Sequence, residues 1–143
     1  SEEGKKEREQ KAAELGGLLA RMKEILAGEV SDVRASDRLE GSPCCLVVAE
    51  GQPTAFLEQV LKAHGRPVER SKRILEVNPT HPLFEAMKAV HGRDPASPRI
   101  EEWVQVLYDQ ALLTEGSKLA DPNRFARRVS ELLTQAARMG AEG

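Results

Sequence analysis

Glu102-Trp103-Val104-Gln105-Val106-Leu107-Tyr108-Asp109-Gln110-Ala111-Leu112-Leu113, followed after a short break by Asp121-Pro122-Asn123-Arg124-Phe125, is the stretch on which the fold turns. Ile100, Val104, Leu107 and Ala111 recur at three- and four-residue intervals, which puts one apolar stripe on a helix. Trp103, Val106, Tyr108, Leu112 and Leu113 widen that stripe beyond a single face. Ser97-Pro98 offers an N-cap residue and then proline at the first helical position, and Asp121-Pro122 repeats the signal. The pattern predicts helices from Pro98 to about Thr114 and from Pro122 to about Met139, folded as a tight antiparallel hairpin. Phe125, Val129, Leu132, Leu133 and Ala136 form the stripe of the second helix.

Two readings of these stripes stand side by side. Either both cover the chain's own sheet, or the hairpin carries more apolar surface than one small domain covers and a second hairpin closes a four-helix bundle. On the second reading the contact residues are Ile100, Trp103, Val104, Leu107, Tyr108, Ala111, Leu112, Phe125, Val129, Leu132 and Leu133. Burying about six large apolar side chains per protomer contributes roughly 10 to 15 kcal/mol gross. Association costs about 4 to 15 kcal/mol, so a dimer is allowed but its affinity is not set.

Upstream, residues 1–14 are charged with mixed signs and read as a solvated helical lead-in or a frayed end. From Ala12, the residues Leu15, Leu18, Leu19, Met22, Ile25 and Leu26 follow helical spacing, with Gly28 placed to end the helix. Gly16 and Gly17 weaken it by about 1 kcal/mol each relative to alanine and favour a kink or a late start near Leu18. Val30–Ala35 is a strand candidate and Asp37–Pro43 a polar loop. Cys44-Cys45-Leu46-Val47-Val48-Ala49 is a continuous apolar run, the pattern of a fully buried strand. Gln52-Pro53-Thr54 opens a helix with proline in its first turn, running to about His64 and stopping at Gly65. Ile74–Val77 reads as a third strand. Asn78-Pro79-Thr80 ends it, with Thr80 capping a helix from His81 to about His91. Gly92–Ala96 reads as a linker. The fold class expected is α+β: a small mixed three-stranded sheet flanked by helices over 15–97, then the helical hairpin over 98–143.

Composition narrows the function. The 143 residues are 40% hydrophobic but only 3% aromatic, so a core is affordable and must be aliphatic. Net charge is -2, with Lys and Arg scattered among Asp and Glu, which argues against a nucleic-acid footprint. No apolar run approaches the length of a membrane span, and no signal peptide is visible. Cys44 and Cys45 are adjacent, which rarely suits a disulfide, and two thiols do not complete a zinc site. They read as small apolar side chains in a strand, and unpaired cysteines suit a reducing cytoplasm. The chain starts at Ser1 inside a helical pattern, which suggests a piece of a longer protein.

Chemistry is sparse. His64, His81 and His91 fall in no metal-ligand spacing. There is no GxSxG elbow, no phosphate-binding glycine loop and no nucleotide fingerprint. Glu101-Glu102 and Asp94 read as carboxylates on solvated helix faces. No catalytic and no metal-binding residue is expected. The remaining surface of interest is the helix over 54–64, with Glu58, Gln59 and Lys62 opposite Phe56, Leu57, Val60 and Leu61. It either packs on the sheet or presents an apolar face to a partner.

Arg38-Leu39, Ser42-Pro43, Leu75-Glu76-Val77-Asn78-Pro79-Thr80-His81-Pro82-Leu83, Trp103-Val104, Asp109-Gln110-Ala111-Leu112-Leu113 and Asp121-Pro122-Asn123-Arg124-Phe125 together resemble the C-terminal domain of the heat-shock protein 90 chaperones, in their bacterial form. The resemblance covers about Leu18 to Leu133. It implies a constitutive homodimer, with Pro98–Thr114 and Pro122–Met139 of each protomer in a four-helix bundle. It implies contact with unfolded client proteins through a mobile amphipathic helix, carried over to Leu57, Val60 and Leu61 with Phe56 beside them. Pro53 departs from the larger apolar residue often found there in bacterial members. ATP and Mg belong to an N-terminal domain outside this chain, so no cofactor and no hydrolysis are expected here. Eukaryotic cytosolic members end in Met-Glu-Glu-Val-Asp, which recruits repeat-containing co-chaperones. The ending Met139-Gly140-Ala141-Glu142-Gly143 implies no such docking. A stand-alone binding module acting through the 54–64 helix is the alternative function.

Overall fold

The computed structural model describes all residues of the chain except 39–40 and 67–70. Leu39, half of the Arg38-Leu39 pair, and part of the loop expected over Asp37–Pro43 lie outside the described residues. The elements are α1 (Glu2–Glu14), α2 (Gly16–Ile25), β1 (Val30–Ala35), β2 (Cys44–Val47), α3 (Ala55–Ala63), β3 (Arg73–Val77), α4 (Pro82–Arg93), α5 (Pro98–Glu115) and α6 (Pro122–Glu142). The fold is α+β, as expected.

The three strands form one mixed sheet in the order β1-β3-β2, with β1 parallel and β2 antiparallel to β3. Alternation sorts the central strand. Leu75 and Val77 are fully buried on one face, opposite Val33, Leu46 and Cys44 in the register. Glu76 lies on the other face, where Arg34 Nε reaches its Oε2 at 2.9 Å and Arg38 Nη2 its Oε1 at 3.2 Å. β2 is not the fully buried strand that its composition suggests. It is a four-residue edge strand in which Cys44 is buried and Cys45, Leu46 and Val47 are half-buried. An apolar run reports that a strand can be buried, whereas its place at the sheet edge decides whether it is.

The core is built from α2, the sheet, α4 and α5: Leu18, Met22 and Leu26 from α2 and its cap, Phe84 and Met87 from α4, and Ile100, Val104 and Leu107 from α5. Neither these residues nor the half-buried ones packed on them include any from α1, α3 or α6.

Boundaries differ from the sequence reading in five places. The single helix from Ala12 is broken at Leu15, three residues before Leu18, because Leu15 turns inward to 3% exposure just as Gly16-Gly17 weaken the helix. The helix ends at Ile25 with Leu26 as its cap, ahead of Gly28. Pro53 precedes α3 rather than sitting in its first turn, and Thr54 is the N-cap, its side chain accepting from Leu57 N at 3.1 Å. His81, not Thr80, caps α4: its Nδ1 accepts from Leu83 N at 3.1 Å. Thr80 is held instead by Asn78 Oδ1, to which its hydroxyl donates at 2.9 Å. α4 also runs on to Arg93, through the expected start of the linker.

Candidate functional site

α5 ends at Gly116, whose positive φ of 90° lets the chain reverse while its N–H and that of Ser117 bond back to Leu112 O. Asp121 then caps α6 by accepting from Arg124 N at 3.0 Å. The two helices run antiparallel. Asp109 feels Arg124 and Arg128 from the start of α6, while Glu102, further back on α5, shares a hydrogen bond with Glu131, further on along α6. That hydrogen bond, burial and the Glu131 charge raise the Glu102 carboxyl, with Arg128 and Arg99 opposing. Burial raises the Asp109 carboxyl, against the pull of Arg128.

The expected association residues divide into two sets. Ile100, Val104, Leu107, Tyr108, Ala111 and Leu112 are only 0 to 6% exposed, because α5 lays this stripe on β2, α2 and α4. Their surface is covered within the chain, where they hold the hairpin to the body. Trp103, Phe125 and Leu132 are half-buried, while Val129 is 40% and Leu133 68% exposed. Leu113 and Met139, absent from the expected contact set, join the exposed apolar residues. α6 is 21 residues long and strongly amphipathic, yet has no buried residue.

α3 is the second surface. Phe56 is 76% and Leu57 45% exposed, and Val60 and Leu61 are half-buried. No residue of α3 belongs to the buried core cluster or to the half-buried residues packed against it. Its tie to the body is polar: Glu58 Oε1 accepts from Ser71 Oγ at 3.2 Å and from Arg73 Nη1 at 2.9 Å. Arg73 is 2% exposed and also donates from Nε to Glu115 Oε1 at 2.7 Å. Burial disfavours its charge, but hydrogen bonds to Glu58 and Glu115 more than offset this and raise it above the ordinary arginine value. Sequence reading missed this cluster. Glu115 is 42 positions from Arg73, and no spacing rule connects residues so far apart.

Among the described residues no three His, Cys, Asp or Glu side chains come together to hold a metal ion, and no helix is long and apolar enough to cross a membrane. Both cysteines are free. Burial, with the neighbouring Cys45, pushes the Cys44 thiol up to about 12. Burial and Glu76 also raise Cys45, against Arg38, so neither is an activated thiolate at neutral pH.

The sequence model of the Hsp90 protein family matches residues 1–142. The chain belongs to the Hsp90 family. The chaperone protein HtpG of Myxococcus xanthus is 56% identical over 143 residues, covering 99% of this chain and 22% of that protein. HtpG of Geobacter sulfurreducens is 47% identical over 145 residues, with 99% and 22% covered. HtpG of Bdellovibrio bacteriovorus is 43% identical over 141 residues, with 95% and 22% covered. The chain therefore spans 22% of the length of these relatives.

Proposed function

We propose that this Hsp90-family segment joins two chaperone protomers by pairing its α5–α6 hairpin with that of a second copy in a four-helix bundle. One observation carries the reading: α6 is an amphipathic helix of 21 residues with nothing buried. An isolated helix of this length is marginal in water, and most helical stability in proteins comes from packing an apolar face. The pairing surface is Trp103 and Leu113 of α5 with Phe125, Val129, Leu132, Leu133 and Met139 of α6. Ile100, Val104, Leu107, Tyr108, Ala111 and Leu112 support it from beneath.

The pairing is mechanical. It holds two arms at an effective concentration of roughly millimolar, so that closure elsewhere becomes a clamp. ATP and Mg, and the hydrolysis that drives closure, belong on this reading to parts of the protein that this chain does not span, in a reducing cytoplasm. Replacing Val129 and Leu133 together by Asp tests the pairing. Both are exposed here, so the fold is expected to survive by circular dichroism while the sedimenting mass falls by half. An unchanged mass contradicts the reading.

A second role is favoured by α3. Phe56 and Leu57 stand exposed on a helix held by polar contacts, a surface suited to apolar segments of unfolded client proteins. Acting alone, this helix would make the chain a protein-binding module. Leu57→Asp with Leu61→Asp is expected to weaken capture of an unfolded model protein by about tenfold, the loss of roughly one buried side chain's contribution. Unchanged capture by the folded variant removes α3 as the site.

A further inference from the structure

Arg73 bonds to two elements at once, α3 through Glu58 and α5 through Glu115. α3 has no anchor in the apolar core. Its cap at Thr54 and the contact of His64 with Val60 O are internal to the helix and its ends. Gly51 and Gly65, with φ of 84° and 74°, flank it at turns that side chains resist. Among the described residues Glu58 ties it to the body, and Glu58 meets a guanidinium that is also bonded to Glu115, the last residue of α5. Glu115 is held in turn by Ser117, whose hydroxyl donates to Oε2 at 2.6 Å in the turn leading to α6.

We propose that Arg73 is a shared latch, through which the end of α5 sets how firmly α3 is held. The guanidinium is a rigid plane, so its Nε bond to Glu115 and its Nη1 bonds to Ser71 O and Oγ together fix the direction in which Nη1 presents to Glu58. Losing the Glu115 bond leaves that plane held by Ser71 at Nη1 alone, and so loosens the grip on Glu58 and α3. Nη2 is buried and makes no hydrogen bond among the described residues. The buried cluster is thus not fully satisfied, which leaves its bonds open to rearrangement. Arg73 acts as a positioning residue, and any effect on a client passes through α3. The latch stands independently of whether the chain dimerises or α3 meets a client.

Amide hydrogen exchange on the 143-residue chain tests it. In Glu58→Gln the amides of α3 are expected to exchange about tenfold faster, and in Glu115→Gln about threefold faster, while those of Leu75 and Val77 in β3 stay within about twofold. Arg73→Lys should match Glu58→Gln, because an ammonium cannot present two bonds in one fixed plane. Should Glu115→Gln fail to fold, Ser117→Ala takes its place with the same expected result. The latch is overturned by unchanged α3 exchange in Glu58→Gln, by unchanged or slower α3 exchange in the Glu115 or Ser117 variant, or by equal acceleration in β3, which marks general destabilisation.

Discussion

Alternation along β2 gives Cys44 and Cys45 different surroundings although they are neighbours in sequence. Cys44 faces the core opposite Val77, and Cys45 lies on the outer face opposite Glu76. The folded state holds the Cys44 thiol protonated up to about pH 12, against 9.0 for an unburied thiol. Its stability contribution is therefore complete below pH 9 and is lost as pH rises from 9 toward 12. Between pH 8 and pH 10, the stability advantage of the wild type over Cys44→Ala in urea should shrink by on the order of 1 kcal/mol. A constant difference would show that Cys44 ionises freely in the folded chain. Residue-scale detail was only partly legible. Adjacent thiols rarely suit a disulfide, whereas Thr80 reads as the helix cap only because threonine is a common one. Asn78 holds Thr80 in a turn, and this leaves His81 to supply the acceptor.

At the level of elements, periodicity shows that a helix has an apolar face, but not what covers it. Three helices carry such faces, and they meet different ends: α5 buries its stripe in the core, whereas α3 and α6 contribute nothing to it. The sequence placed all three helices to within a few residues, because Ser97-Pro98, Asp121-Pro122 and Thr54 are strong start signals. It did not separate the inner α5 residues, such as Val104 and Leu107, from the outer surface, because that division depends on where β2 and α2 dock. The division has a direct thermodynamic consequence. Leu107→Ala should cost about 2 to 5 kcal/mol in urea unfolding. Phe56→Ser, at an exposed site, should stay within about 0.5 kcal/mol. Comparable losses at the two sites would mean that α3 packs on the body after all.

At the scale of the whole molecule, α2, the sheet, α4 and α5 form a body closed on its own core, from which α3 and α6 project apolar surface. The chain belongs to the Hsp90 family, and the roles proposed for it rest on the α3 and α6 surfaces. On the proposed function, a second copy covers the α6 surface. Sedimentation equilibrium of the 143-residue chain at micromolar concentration tests this most directly. A paired α6 gives a mass of twice 15.7 kDa, and a species of 15.7 kDa at every concentration would rule the pairing out.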